Sequence, residues 1–158
     1  MRILCAIGQR DGPQIILRLA TMVGNQHEIY LLHVLDTGPR HGLEDFLHSP
    51  GPVPHQRPLS SEQTRALDDV EQAAGQAALA EAVAAAQKAG FSVSGEIQRG
   101  KPGQMIVQTA QTWRSQLIAM RASEGAQGRS QIGPASVGHT ARFVLDHAPC
   151  EVLLLRGS

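Results

Sequence analysis

Three glycines stand in the register Gly125-x2-Gly128-x9-Gly138, with Arg129 and Ser130 directly after the second and His139 and Thr140 directly after the third. Glycine lets backbone N–H groups approach an anion with no side chain in the way. Gly138 is expected in the first turn of a helix, where unpaired N–H groups and the helix dipole favour negative charge. Ser130, His139 and Thr140 add hydrogen-bond donors, and Arg129 and Arg142 add positive charge. The chemistry on offer is capture of a phosphate-like anion. A Gly-x2-Gly pair also occurs wherever a chain turns, so the place of this stretch in the fold has to decide between the two readings.

Other reactive residues form no such pattern. His41, His48 and His55 recur every seven residues, but in a proline-rich stretch without a neighbouring Cys or a Glu-x-x-His pair, a poor preformed metal site. His33 falls inside an apolar run and reads as a structural histidine. His147 lies near a helix end, where positive charge is mildly favoured. Cys5 and Cys150 each sit in an apolar run and read as buried free thiols; Cys150 has only His147 near it in sequence as an activating base. Asp11, Asp36 and Glu124 fall near expected strand ends without the spacing of paired catalytic carboxylates. No catalytic set is expected.

The elements that must position the glycines follow from periodicity. Ile3 to Ile7 and Glu28 to Leu35 are short apolar runs, as in strands buried on both faces of a parallel sheet. Between them Ile15, Ile16, Leu19, Met22 and Val23 recur at helical spacing, with Pro13 in the first turn and Gly24 at the end. Residues 37–61 hold five of the nine prolines and little periodicity, the pattern of a long Pro/His-rich surface loop with a short helical turn at Leu43 to Leu47. Ser60-x-x-Gln63 has the form of a capping box and opens an alanine-rich helix over 64–89, with Leu67, Val70, Ala74 and Ala78 on its inner face. Phe91, Val93 and Ile97 alternate with polar residues as a half-exposed strand. Gly100-Lys101-Pro102 starts a helix carrying Ile106, Ala110 and Trp113. Leu117 to Met120 is the fourth strand. Val137, Ala141, Val144, Leu145 and Ala148 trace the last helix, and Val152 to Leu155 the fifth strand. The β-α alternation predicts one α/β domain over residues 1–158, a five-stranded parallel sheet with helices on both faces.

Bulk properties exclude several classes. Fourteen basic and fourteen acidic residues give a formal net charge of zero, no footprint for nucleic acid or an anionic membrane. Aromatic residues make up 3%, too few for a base-stacking platform. No apolar run reaches the roughly 20 residues of a membrane span. With Met1-Arg2 leading into only five apolar residues, no signal peptide is read, and a cytoplasmic protein with reduced thiols is expected.

The segment Leu117-Ile118-Ala119-Met120, the three glycines and the ending Ala148-Pro149-Cys150-Glu151-Val152-Leu153-Leu154-Leu155 together resemble the end of a universal stress protein domain. Arg2-Ile3-Leu4 and Leu32-His33-Val34 match its other landmarks, so the resemblance spans the whole chain. It implies the adenine nucleotide alpha hydrolase-like arrangement with strand order 3-2-1-4-5. It also implies a stress-response role and a homodimer paired through the last strand, Val152 to Leu155; an apolar edge strand needs such a cover. In some members it implies ATP, with Mg²⁺ where it binds, and at most slow hydrolysis. By position Ile7, Gly8 and Val34 would neighbour adenine and ribose. Met120 would end the fourth strand, and Gly125, Gly128, Gly138 and His139 would face phosphates. The sequence departs from the nucleotide-binding pattern at three points. Gly8 stands where binding members have Asp; His139, rather than Ser or Thr, follows the third glycine; and Gly125 comes about four residues late after Met120. Two functions stay open: an adenine-nucleotide-binding stress protein, or a dimeric regulatory module of the same fold that binds no nucleotide.

Overall fold

The computed structural model describes residues 1–37, 60–122 and 137–157. The proline-rich stretch from 38 to 59, its three histidines and its expected helical turn therefore lie outside the described residues. So do Gly125, Gly128, Arg129 and Ser130.

In chain order the elements are β1 (Arg2–Ile7), α1 (Gly12–Val23), β2 (Glu28–Asp36), α2 (Ser61–Lys88), β3 (Ser92–Gly100), α3 (Pro102–Trp113), β4 (Leu117–Arg121), α4 (His139–His147) and β5 (Glu151–Leu155). The sheet has the order β3-β2-β1-β4-β5 and every neighbouring pair is parallel. Two apolar layers sandwich it. Ile3, Cys5, Ile29 and Leu31 pack on Ile15, Ile16 and Leu19 of α1 and on Ala82 and Ala86 of α2. Leu4, Leu32, Ile118 and Met120 pack on Ile106 and Ala110 of α3 and on Ala141 and Val144 of α4. Strand side chains alternate between the faces, so both faces of β1 must be apolar, which is why its sequence is one unbroken run.

The capping box forms: Ser60 Oγ accepts from the Gln63 N–H at 3.3 Å, and Gln63 Oε1 accepts from the Ser60 N–H at 3.0 Å. The inner face of α2, however, is Gly75, Ala78, Ala82 and Ala86. Leu67 and Val70, expected there, are exposed, Val70 by 65%. Length explains this. Twenty-eight helical residues extend roughly 42 Å, whereas a nine-residue strand extends roughly 30 Å, so the start of α2 overhangs the sheet. Met22 and Leu145 are likewise exposed rather than inward. Each lies beside the buried stripe of its helix, which passes through Leu19 in α1 and through Ala141 and Val144 in α4.

Candidate functional site

The carboxyl ends of β1, β2 and β4 open onto a cavity of about 480 Å³. β1 lies between β2 and β4, so this is the crevice where the strand order reverses. Ile7, Val34, Ile106 and Met120 form apolar walls, and Asp11, His33, Asp36, Glu71, Arg121 and Thr140 bring polar groups. Three of these side chains are carboxylates and one is a guanidinium. Among the described residues no three His, Cys, Asp or Glu are grouped to hold a metal ion.

The loop after β1 has an unusual cap. Asp11 is the N-cap residue of α1, yet its side chain bonds to none of that helix's N–H groups. It turns back instead, and Oδ1 accepts the Gly8 N–H at 2.6 Å. A Cβ placed on Gly8 would meet the Asp11 carboxyl oxygens at 3.2 and 3.3 Å. The Asp11 carboxylate thus fills the space a side chain at position 8 would use, on the cavity wall at the end of β1.

His33 is 4% exposed and its Nδ1 lies 3.0 Å from the Ile7 carbonyl oxygen. That carbonyl can only accept, so Nδ1 carries the proton of this bond. Space for the ring comes from α2: a Cβ on Gly75 would lie 2.8 Å from His33 Cδ2. One helical turn before Gly75 the same face carries Glu71 to the cavity.

Of the residues expected from sequence, Ile7, Gly8, Val34, Met120 and Thr140 line the cavity. Gly138 is the N-cap of α4 rather than part of its first turn, at φ 90° and ψ 162°, a conformation suited to glycine. Gly138 and His139 are not on the cavity wall, and His139 is exposed. Successive helical residues point about 100° apart, so Thr140 turns inward where His139 turns out. Sequence reasoning missed Glu71 and Ile106 as wall residues, while Arg121 lies where the loop after β4 was expected to meet the crevice. Glu71 was detectable only through its four-residue spacing to Gly75. Burial pushes the Cys5 thiol up to about 12, and burial followed by the Glu151 charge raises Cys150, both of which disfavour the thiolate.

The same fold occurs in solved structures. A universal stress protein family protein from Arabidopsis thaliana with AMP bound is 17% identical, with a TM-score of 0.65, and the match covers 100% of this chain and 92% of that one. The universal stress protein UspA from Lactobacillus plantarum is 24% identical over 99% of this chain and 97% of its own, with a TM-score of 0.59. The Archaeoglobus fulgidus universal stress protein in complex with dAMP is 18% identical over 98% and 96%, with a TM-score of 0.57. No curated protein matches the chain. The family model for the universal stress protein family matches residues 1–156, and the chain belongs to that family.

Proposed function

We propose that the cavity binds an adenine nucleotide with few phosphates, in a homodimeric stress-response domain. The observation that carries this reading is the Asp11 carboxylate folded onto Gly8. It supplies, from three residues further on, the carboxylate that nucleotide-binding members of the family hold directly after the first strand. Thr140 similarly offers, one residue late, the hydroxyl that His139 lacks. Ile7, Val34, Ile106 and Met120 give an aromatic base apolar surfaces on two sides. Similar folds crystallised with AMP and with dAMP support the ligand class.

The carboxylates argue against free ATP. A polyphosphate in this cavity meets three carboxylates, Asp11, Asp36 and Glu71, against one guanidinium, Arg121, and Mg²⁺ would have to arrive with it. What supports the homodimer is β5, an edge strand with Val152, Leu153 and Leu154 half-buried, which a second copy could cover. Light scattering measures that state directly. Calorimetric titration with AMP, and with ATP plus Mg²⁺, tests the ligand: AMP should bind more tightly. Absence of heat and of any thermal shift with both at millimolar concentration would sink the nucleotide reading in favour of a regulatory module of the same fold.

A further inference from the structure

A second groove, of about 370 Å³, lies between β3 and α3, away from the strand-end cavity. The chain has one Trp and one Tyr, and both line it. The rings of Tyr30 and Trp113 stand 5.3 Å apart between centroids, tilted by 43°. Strand alternation puts Ser94, Glu96 and Gln98 on one face of β3, and Glu96 and Gln98 line the groove. The Gln98 amide donates to Glu96 Oε1, and Thr109 Oγ1 lies 3.4 Å from Gln98 Oε1. Tyr30 and Glu96 line the groove together; burial and then the Glu96 carboxylate push Tyr30 up to about 12, so its hydroxyl stays neutral.

Glu96 is half-buried and is the one formally charged residue on the described groove wall. Its neighbours Gln98 and Tyr30 are neutral. A carboxylate offers about four acceptor positions, so these neighbours leave capacity open. A partly desolvated carboxylate in a groove that Tyr30 and Trp113 also line is complementary to a cation: the charge attracts it, and an aromatic ring can stabilise it. The indole already receives one such group, since the Arg2 guanidinium carbon lies 6.0 Å from its centroid without lining the groove.

We infer that this groove binds a small organic ammonium ion, its N–H groups on the Glu96 carboxylate and its alkyl chain against Trp113 and Met105. The inference is independent of nucleotide binding. Because the sole tryptophan is in the groove, its fluorescence reads the site directly. Titration with n-butylammonium chloride at constant ionic strength should give a saturable change with a Kd on the order of 1 mM, as suits a ligand of about five heavy atoms. n-Butanol, the same shape without charge, should give none. Glu96→Gln keeps a side chain of the same shape and should weaken n-butylammonium binding by at least about tenfold. A linear response, an equal response to n-butanol, or an unchanged Kd in folded Glu96→Gln would each overturn the inference. Should Glu96→Gln fail to fold, the n-butylammonium and n-butanol comparison on the unaltered protein decides alone.

Discussion

If the Asp11 carboxylate does the work expected of a residue at position 8, that work should be transferable between the two positions. Asp11→Ala removes the Gly8 N–H acceptor and the one carboxylate at the end of β1. A hydrogen bond to a charged group contributes about 1.5–3 kcal/mol, so AMP binding should weaken by roughly 10- to 150-fold. Gly8→Asp alone should be destabilising. The three nearest atoms to a Cβ at position 8 all belong to the Asp11 carboxyl, at 3.2 to 3.4 Å, and two carboxylates would crowd one half-buried site. A cost of about 1–2 kcal/mol follows from partly screened repulsion at that range, a fall in Tm of roughly 2–8 °C. In the double variant Gly8→Asp/Asp11→Ala the crowding atoms are gone, so stability should recover and AMP affinity should return to within about fivefold of the starting value. Calorimetry with AMP and differential scanning calorimetry read both quantities. Unchanged affinity in Asp11→Ala would refute the reasoning, as would a double variant no tighter than Asp11→Ala alone.

Three further outcomes follow from the fold. Gly75→Ala places a methyl 2.8 Å from His33 Cδ2; overpacking of about 1–3 kcal/mol should exceed the helix-propensity gain of about 1 kcal/mol, and thermal melting should show a net loss with the His33 ring displaced in NMR spectra. Ser60→Ala removes half of the capping box and should cost about 1 kcal/mol by urea denaturation. Cys5 has its folded value raised from 9.0 to about 12, so its contribution is complete below pH 9 and is lost as pH rises towards 12; stability should fall by about 1.4 kcal/mol per pH unit across that window, a slope that Cys5→Ala removes.

The sheet was legible because its signal is redundant. A strand buried on both faces, such as Ile3 to Ile7, cannot be polar anywhere, and the first three helices carry start signals: Pro13, the Ser60 and Gln63 capping box, and Pro102. The inner face of α2 was harder to read. Its contact residues are Gly75, Ala78, Ala82 and Ala86, while alanine also fills its outer faces, so apolar character alone gives little contrast, and the larger Leu67 and Val70 lie on the overhang. The site divides in the same way. Ile7, Gly8, Val34 and Met120 could be named because the family resemblance assigned them by position, at strand ends that the topology brings to the crevice. Glu71 and Ile106 reach the cavity from helices whose rotation only packing determines, and the direction of the Asp11 carboxylate depends on the turn geometry of a few residues.

The arrangement of charge in the cavity bears on how a nucleotide would lie in it. β2 and β4 flank β1 on opposite sides. The β2 side carries Asp36 at the strand end, while Arg121 ends β4 and Thr140 sits in the first turn of α4. The positive end of the α4 dipole adds to Arg121. A nucleoside monophosphate carries about two negative charges at neutral pH. On the proposed reading it would lie with its phosphate towards Arg121 and Thr140, leaving base and ribose over β1 and β2, where carboxylates could accept from hydroxyl and amino groups. Adenosine would make only the second set of contacts. Arg121→Gln should accordingly weaken AMP by roughly 3- to 30-fold while leaving adenosine within about twofold, by parallel calorimetric titrations. An equal loss for both ligands would mean that Arg121 shapes the cavity rather than meeting the phosphate, and the orientation would have to be abandoned.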